Sequence, residues 1–352
     1  MVTGREISYR KFSETHPEDV FELVRVAVPD RIGPREITVQ IKKAMVHPCD
    51  IGCATGLVNG IKLPAVGGFE AIGVVENVGE SLVNHYQLGQ RVHVCATHIF
   101  GSWKHWVGVW RDYCVFPPEA LVAIPDQIDD EVAAQLFVNV MTPYAMVKEM
   151  NLGVDDVLLQ TAAGSVVGRV MIQLGKIFGF RTLNIVRRRE TAEELQDLYK
   201  IDSVYVYDGN DDDRNIISDK ISQDVGSAPI KYAIDAVSGS VGRFCLDLLS
   251  PGGVIYYYGA LSGDYSVNVD IVTHLCRHDK LVRGWSIQEH WLRNTPDKVK
   301  DEYIRSIWSL LINKKVILPP IGETYALEDF YKAITASQRA DKRGKVMLSC
   351  LG

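Results

Sequence analysis

No run of about 18 apolar residues occurs anywhere in the 352 residues, so no membrane-spanning helix is expected. The N-terminal MVTGREISYRKF has charges where a secretory leader would carry its apolar core. Glu6, Glu14, Glu18 and Asp19 come early for a transit peptide, so a cytoplasmic protein is the expectation. Cys-x-x-Cys is absent. The seven cysteines, Cys49, Cys53, Cys95, Cys114, Cys245, Cys276 and Cys350, are odd in number and scattered, which argues against a disulfide framework and suits free thiols in a reducing compartment. Cys49 and Cys53 lack the two further ligands that a structural zinc would need. There is no internal repeat and no low-complexity tract, and the acidic run Gly209–Asp213 is short enough to read as a solvated loop. Nor does one sign of charge dominate. Lys and Arg number 38 against 44 Asp and Glu, a net charge of −6 that exerts no global pull toward nucleic acid or an anionic membrane.

Apolar residues are plentiful at 47%, ample for buried cores, and the length suits two domains of roughly 100–200 residues each. The first part reads as strands and turns. Ile37, Val39 and Ile41 alternate with polar residues, the period of a half-buried strand, and Ile72–Val78 and Val92–Ala96 are similar. Gly33-Pro34, Gly67-Gly68, Gly79, Pro117-Pro118 and Pro125 punctuate them. After Pro125 the texture changes. A helix is expected over Asp129–Met150, then strands at Val157–Gln160, Thr182–Val186, Ser203–Tyr207, Lys231–Ala236, Gly253–Tyr258 and Leu281–Trp285, with helical patterns between them. Such alternation implies an α/β fold with a doubly wound parallel sheet.

The most informative stretch is Asp155–Lys176, DDVLLQTAAGSVVGRVMIQLGK. An apolar strand (Val157, Leu158, Leu159) meets a turn of small residues (Ala162, Ala163, Gly164, Ser165, Gly168). A helical pattern then runs through Val167, Val170, Met171, Leu174 and Phe178. Strand, small-residue turn and helix is how such a fold offers backbone N–H groups to a pyrophosphate. The turn departs from G-x-G-x-x-G, since Val166 stands where a glycine is often found. At the end of the next strand, where an acidic residue would meet the ribose hydroxyls of NAD, the chain reads Val186-Arg187-Arg188-Arg189-Glu190. Guanidinium forks suit a phosphate, so NADPH is the expected cofactor; a solvated basic loop is the plain alternative.

Together with VHPCD (Val46–Asp50), PAVGGFEAIGVV (Pro64–Val75), Gly89–Val92, DAVSG (Asp235–Gly239), Tyr258–Leu261 and GKVML (Gly344–Leu348), these residues resemble the medium-chain dehydrogenase/reductase superfamily over nearly the whole chain. The resemblance implies a GroES-like catalytic domain over residues 1–125, completed by 295–352, and a Rossmann domain over 126–294. The text PAVGG, Asn139 and Thr142 in NVMTPY, Asn184–Arg188, and RGWSIQEHW before Asn294-Thr295-Pro296 is similar to the trans-2-enoyl-CoA/ACP reductase branch, which is quinone oxidoreductase-like. It implies a cofactor site made of Asn139, Thr142, Gly164, Ser165, Val166, Val167, Gly168, Arg187, Arg188, Arg189, Tyr258, Gly259, Ala260 and Trp285.

Zinc-dependent members of the superfamily hold the metal with Cys, His and Cys or Asp. Here His47 takes the first ligand position, Phe69 replaces the His of G-H-E, and Val138 lies near the third, so the resemblance implies no metal. Without a Lewis acid, reduction of a polarised C=C bond gains over alcohol oxidation, since it needs hydride and a proton donor. The donor proposed for the enoyl thioester reductases is a Tyr in the loop before PAVGG. Gly52–Leu63 contains no Tyr, and Val58 or Asn59 falls near its place. The remaining catalytic candidates are His47, which can titrate near neutrality, Asn59, which can hold a carbonyl, Cys53, and Thr142, which faces the nicotinamide by analogy. Each also has a plain structural role open to it, and protonation by solvent stays open. Gly101–Tyr113 (GSWKHWVGVWRDY) is rich in aromatics that either line an apolar substrate cleft or pack on the β domain, with Arg111 or Lys104 available to an anionic group.

The expectation is an NADPH-dependent reductase of an α,β-unsaturated carbonyl, either an enoyl thioester or a specialised-metabolite intermediate. The alternatives are quinone or ketone reduction and a non-catalytic NADPH-binding protein. A homodimer through the Rossmann sheet edge, using Tyr256, Tyr257 and Val267–Val269, is also expected.

Overall fold

The structure, a computed structural model, describes residues 3–58, 60–95, 107–339 and 344–350. The chain divides into two compact units. One comprises Met1–Val138, Gln288–Lys300 and Pro319–Gly352; the other comprises Asn139–Ile287 and Asp301–Leu318.

In the first unit a seven-stranded sheet has the order Ile321–Ala326, Lys345–Ser349, Ile37–Val46, Glu70–Val78, Arg91–Cys95 and Leu121–Ala123, with Tyr113–Phe116 pairing on Ile37–Val46. A three-stranded sheet joins Phe21–Ala27, Thr3–Tyr9 and Ala65–Val66. The alternation read at Ile37, Val39 and Ile41 places all three in the core. Trp110 is also core. Its indole Nε1 donates to the Met45 carbonyl at 2.8 Å, and its ring lies where a Cβ on Gly67 or Gly68 would come within 2.4 or 2.3 Å of it. Packing therefore takes this aromatic away from any cleft. Trp103, Lys104, His105 and Trp106 lie outside the described residues, and Arg111 pairs with Glu6 at 3.1 Å.

The second unit holds a six-stranded, wholly parallel sheet in the order Val204–Val206, Arg181–Val186, Val157–Gln160, Tyr232–Asp235, Val254–Tyr257 and Leu281–Gly284. Leu158, Leu159, Leu183, Ala233, Ile234 and Ile255 are fully buried, as strands covered on both faces require. Helices Val166–Phe178, Arg189–Tyr199, Asp211–Val225 and Gly239–Leu248 make the crossovers. The first strand lies between the second and the fourth, so the order reverses there. At such a switch point a crevice opens beyond the carboxyl ends of the strands.

Two expectations are corrected. Tyr256 and Tyr257 do not form the sheet edge, because Val254–Tyr257 is paired on both sides and the edge strand is Leu281–Gly284. The helix expected over Asp129–Met150 is broken into a short helix Asp130–Ala133, a π segment Leu136–Met141 and a helix Thr142–Met150. Two causes act here, one local and one tertiary. Pro143 has no N–H for the carbonyl four residues back, and the Phe137 and Val138 N–H groups are claimed by the Glu70 carboxylate at 2.8 and 3.2 Å.

Candidate active site

The turn Thr161–Ser165 leaves the switch-point strand and enters helix Val166–Phe178. Ser165 caps that helix, its side chain accepting from the Gly168 N–H at 3.1 Å. Gly168 has no room for a side chain, since a Cβ would stand 2.6 Å from the Ala163 Cα and carbonyl oxygen. The helix can therefore lie directly on the turn, with its first N–H groups at the carboxyl end of the sheet. A Cβ on Gly164 would meet the Thr191 methyl at 2.4 Å, so the first turn of helix Arg189–Tyr199, which follows the arginine run, packs against the small-residue turn. Arg187, Arg188 and Arg189 are exposed there, and Arg188 Nη2 reaches the Thr191 hydroxyl at 3.5 Å.

Opposite, Asp235 ends its strand and ties the crevice together. Its Oδ1 accepts from the Thr161 hydroxyl at 2.5 Å and the Val237 N–H at 3.1 Å, and its Oδ2 accepts from the Ser238 N–H at 2.7 Å. Burial raises the Asp235 pKa against these bonds. Tyr258, Gly259 and Ala260 follow the next strand. The Tyr258 hydroxyl is buried with no hydrogen-bond partner among the described residues, and burial pushes its pKa up. Trp285 follows the edge strand, and its Nε1 donates to Glu149 at 2.8 Å. Of the residues expected to bind cofactor, those from Gly164 to Gly168, Arg187 to Arg189, Tyr258 to Ala260 and Trp285 all follow the carboxyl ends of strands of one sheet. Asn139 and Thr142, both buried, lie on the π segment and the helix after it. The absence of side chains at Gly164 and Gly168 and the exposed guanidinium groups fit a dinucleotide with a charged ribose.

The first unit brings together a different set. His47 precedes helix Pro48–Cys53, and its N–H donates to Asp50 Oδ2 at 2.6 Å. Its Nε2 lies 2.9 Å from Glu70 Oε1, while His93 Nε2 lies 3.0 Å from Glu70 Oε2, and all three side chains are fully buried. Burial alone would raise the Glu70 pKa, but hydrogen bonds from His47 and His93 bring it down to about 2. Both imidazoles therefore donate through Nε2, and His47 Nδ1 faces Lys345 Nζ at 3.5 Å. Burial lowers the His47 pKa against the pull of Glu70, so the ring is neutral. Cys53 is in the core at the far end of the same helix, and burial raises its thiol pKa well above the usual value. Asn59 lies outside the described residues.

Glu70 and His93 were legible only as single letters. Glu70 follows Phe69 in the departure from G-H-E, and His93 is a lone histidine in the strand RVHVC. Pairing of Glu70–Val78 with Arg91–Cys95 brings them together. These residues do not fit a catalytic zinc. Phe69 and Val138 have no ligand atom, and His47 Nε2 is engaged with Glu70. A pH dependence follows from the neutral imidazole. With a folded pKa below the ordinary 6.5, the contribution of His47 to stability is complete above pH 6.5 and is lost as the pH falls below it, where the unfolded chain binds the extra proton. Thermal melts should show Tm dropping from about pH 7.5 to about pH 5.5, with a shallower slope in His47→Asn.

A doubly wound sheet with a switch-point crevice, in a chain that also holds a separate β unit, is the build of a medium-chain dehydrogenase/reductase. Residues 33–126 match the family model of the alcohol dehydrogenase GroES-like domain. The mitochondrial enoyl-[acyl-carrier-protein] reductase of Mus musculus is 30% identical over 319 residues, 89% of this chain and 81% of that one. Among solved structures, a candidate NADPH:quinone reductase from Bacillus thuringiensis has a TM-score of 0.87 at 27% identity, covering 100% of both chains. The mitochondrial 2-enoyl thioester reductase heterodimer of Candida tropicalis has a TM-score of 0.82 at 20% identity, covering 99% of this chain and 100% of that one, a likeness of fold. The chain belongs to the zinc-independent enoyl reductase and quinone oxidoreductase branch of the superfamily, and it is an NADP-dependent oxidoreductase.

Proposed function

We propose that the protein uses NADPH to reduce a C=C bond activated by a carbonyl group, with an enoyl thioester as the first substrate class to test. The observation that carries this reading is the arginine run at the end of the second parallel strand, followed by a helix whose first turn packs against the Gly164 turn, in a chain whose curated relatives are named enoyl reductases. When bound, the nicotinamide supplies hydride to the electron-poor β carbon. The chain's own part is to hold the pyrophosphate on the Val166 and Val167 N–H groups that open helix Val166–Phe178, to meet the ribose phosphate with Arg187 and Arg188, and to present Asn139 and Thr142 to the ring. The carbonyl oxygen, where negative charge develops, needs a hydrogen-bond donor, a role we assign to the Thr142 hydroxyl. His47 is tied up by Glu70, so we assign it to holding the site, and Cys53 to the core. The α carbon then takes its proton from solvent, consistent with a loop that has no Tyr.

The test is NADPH oxidation with a 2-enoyl-CoA beside a quinone and an unsaturated ketone, with product analysis. Saturated acyl-CoA supports the reading. Turnover of the quinone alone moves the protein to the second reading, which its 27% identity to the Bacillus protein favours. Tight NADPH binding with no turnover of any acceptor leaves a binding protein.

We also propose a homodimer. The edge strand Leu281–Gly284 is exposed throughout, and Tyr265, Ile271 and Val272 near it in sequence are exposed at 70, 65 and 57%. An uncovered apolar edge calls for a second copy. Sedimentation should give twice the chain mass, falling to one chain in Val282→Lys. A reducing compartment suits the seven free cysteines. The cytoplasm is our assignment, and the mitochondrion named for the relatives is the alternative. Among the described residues no helix is long and apolar enough to cross a membrane.

A further inference from the structure

We propose that Glu70 is a positioning residue for the reduction, held between His47 and His93 so that its carboxylate fixes the backbone of the segment that carries Asn139 and Thr142. The inference rests on the function proposed above and adds the device that organises the site where zinc-dependent relatives place a metal.

Glu70 is fully buried, and its carboxylate meets four donors: His47 Nε2 at 2.9 Å, His93 Nε2 at 3.0 Å, Phe137 N–H at 2.8 Å and Val138 N–H at 3.2 Å. A carboxylate has about four lone-pair sites, and these donors match them. The His93 ring stacks on Phe137 with centroids 5.3 Å apart, so the donor side chain also covers the residue whose N–H Glu70 holds. Those two N–H groups open the π segment Leu136–Met141, which runs directly into Thr142. An N–H bound by a carboxylate cannot serve a helical carbonyl, so Glu70 sets where the regular helix begins. Three strands and the start of the π segment are thereby keyed to one charge. His47 directly follows strand Ile37–Val46, Glu70 begins the strand Glu70–Val78 paired with it, and His93 is inside Arg91–Cys95. Replacing the carboxylate by an amide puts an N–H₂ where two donors already point, His47 and Val138 at Oε1 or His93 and Phe137 at Oε2, so two of the four contacts turn repulsive.

The test compares wild type with Glu70→Gln and with His93→Phe, which keeps the stacked ring and removes one donor. Hydrogen exchange needs no acceptor. The Phe137 and Val138 amides should exchange slowly in wild type, and whichever of them faces the new N–H₂ should exchange at least about tenfold faster in Glu70→Gln, while amides in strand Arg91–Cys95 stay protected. With whichever acceptor wild type reduces, kcat should fall about 10- to 100-fold in Glu70→Gln, with NADPH Kd changed less than about threefold because the arginine and glycine turns lie elsewhere. His93→Phe should fall between the two. Exchange at 137 and 138 that is unchanged in Glu70→Gln overturns the proposal, as does a kcat loss matched by the loss of folded protein. If wild type turns over no acceptor, the functional reading fails, and the exchange arm still decides whether Glu70 holds the segment.

Discussion

Gly168→Ala weakens NADPH binding by at least about tenfold and lowers the melting temperature by several degrees, a loss of about 1–3 kcal/mol from overpacking. The added methyl would lie 2.6 Å from the Cα and carbonyl oxygen of Ala163. Those are backbone atoms of the turn, and Ala163 is itself held by its N–H to the Ile185 carbonyl at 3.1 Å, so neither side can yield cheaply. The helix must lift, and its N-terminal N–H groups move away from the pyrophosphate. Gly153→Ala is the control, because a Cβ there meets nothing within 4 Å. Calorimetry and NADPH titration on both variants check the claim. Equal behaviour of the two would mean that the turn does not hold the cofactor.

The second large effect is on cofactor choice. Arg187→Ala combined with Arg188→Ala should raise Kd for NADPH about 100-fold and leave NADH within about threefold, as expected for the loss of charge-assisted bonds worth about 1.5–3 kcal/mol each. The side chains are exposed, so part of the effect is screened, and the NADPH preference of wild type should itself shrink as salt is raised. Equal losses for both cofactors would show that the arginines bind pyrophosphate or merely shape the turn.

The strand and helix order of the parallel sheet was legible because each element carries its own period. Val157–Gln160 is an apolar run, and helix Val166–Phe178 repeats apolar residues at three and four. The small-residue turn and the arginine run were equally legible, since both are contiguous and lie directly after strands. Trp110 was not, because an aromatic looks the same in the sequence whether it lines a cleft or fills a core. Only the close approach of Gly67 and Gly68 decided for the core. The edge of the sheet was misplaced for a similar reason, since strand order is a long-range pairing and no local pattern distinguishes Tyr256 in an inner strand from Val282 in the outer one.

By itself, then, the sequence determined the α/β class, the small-residue turn and the arginine cluster, each a matter of local propensity or of a side chain's chemistry, while the reading of Phe69 and Val138 as lost zinc ligands came from the family resemblance. The tertiary structure alone decided that Glu70, His47 and His93 share one buried carboxylate, and that this carboxylate interrupts the helix expected over Asp129–Met150. These residues are separated by 23 positions on each side of Glu70, and by 67 and 68 positions to the backbone it holds. Strand pairing joins them, and desolvation turns an unremarkable Glu into a group that must collect every donor within reach.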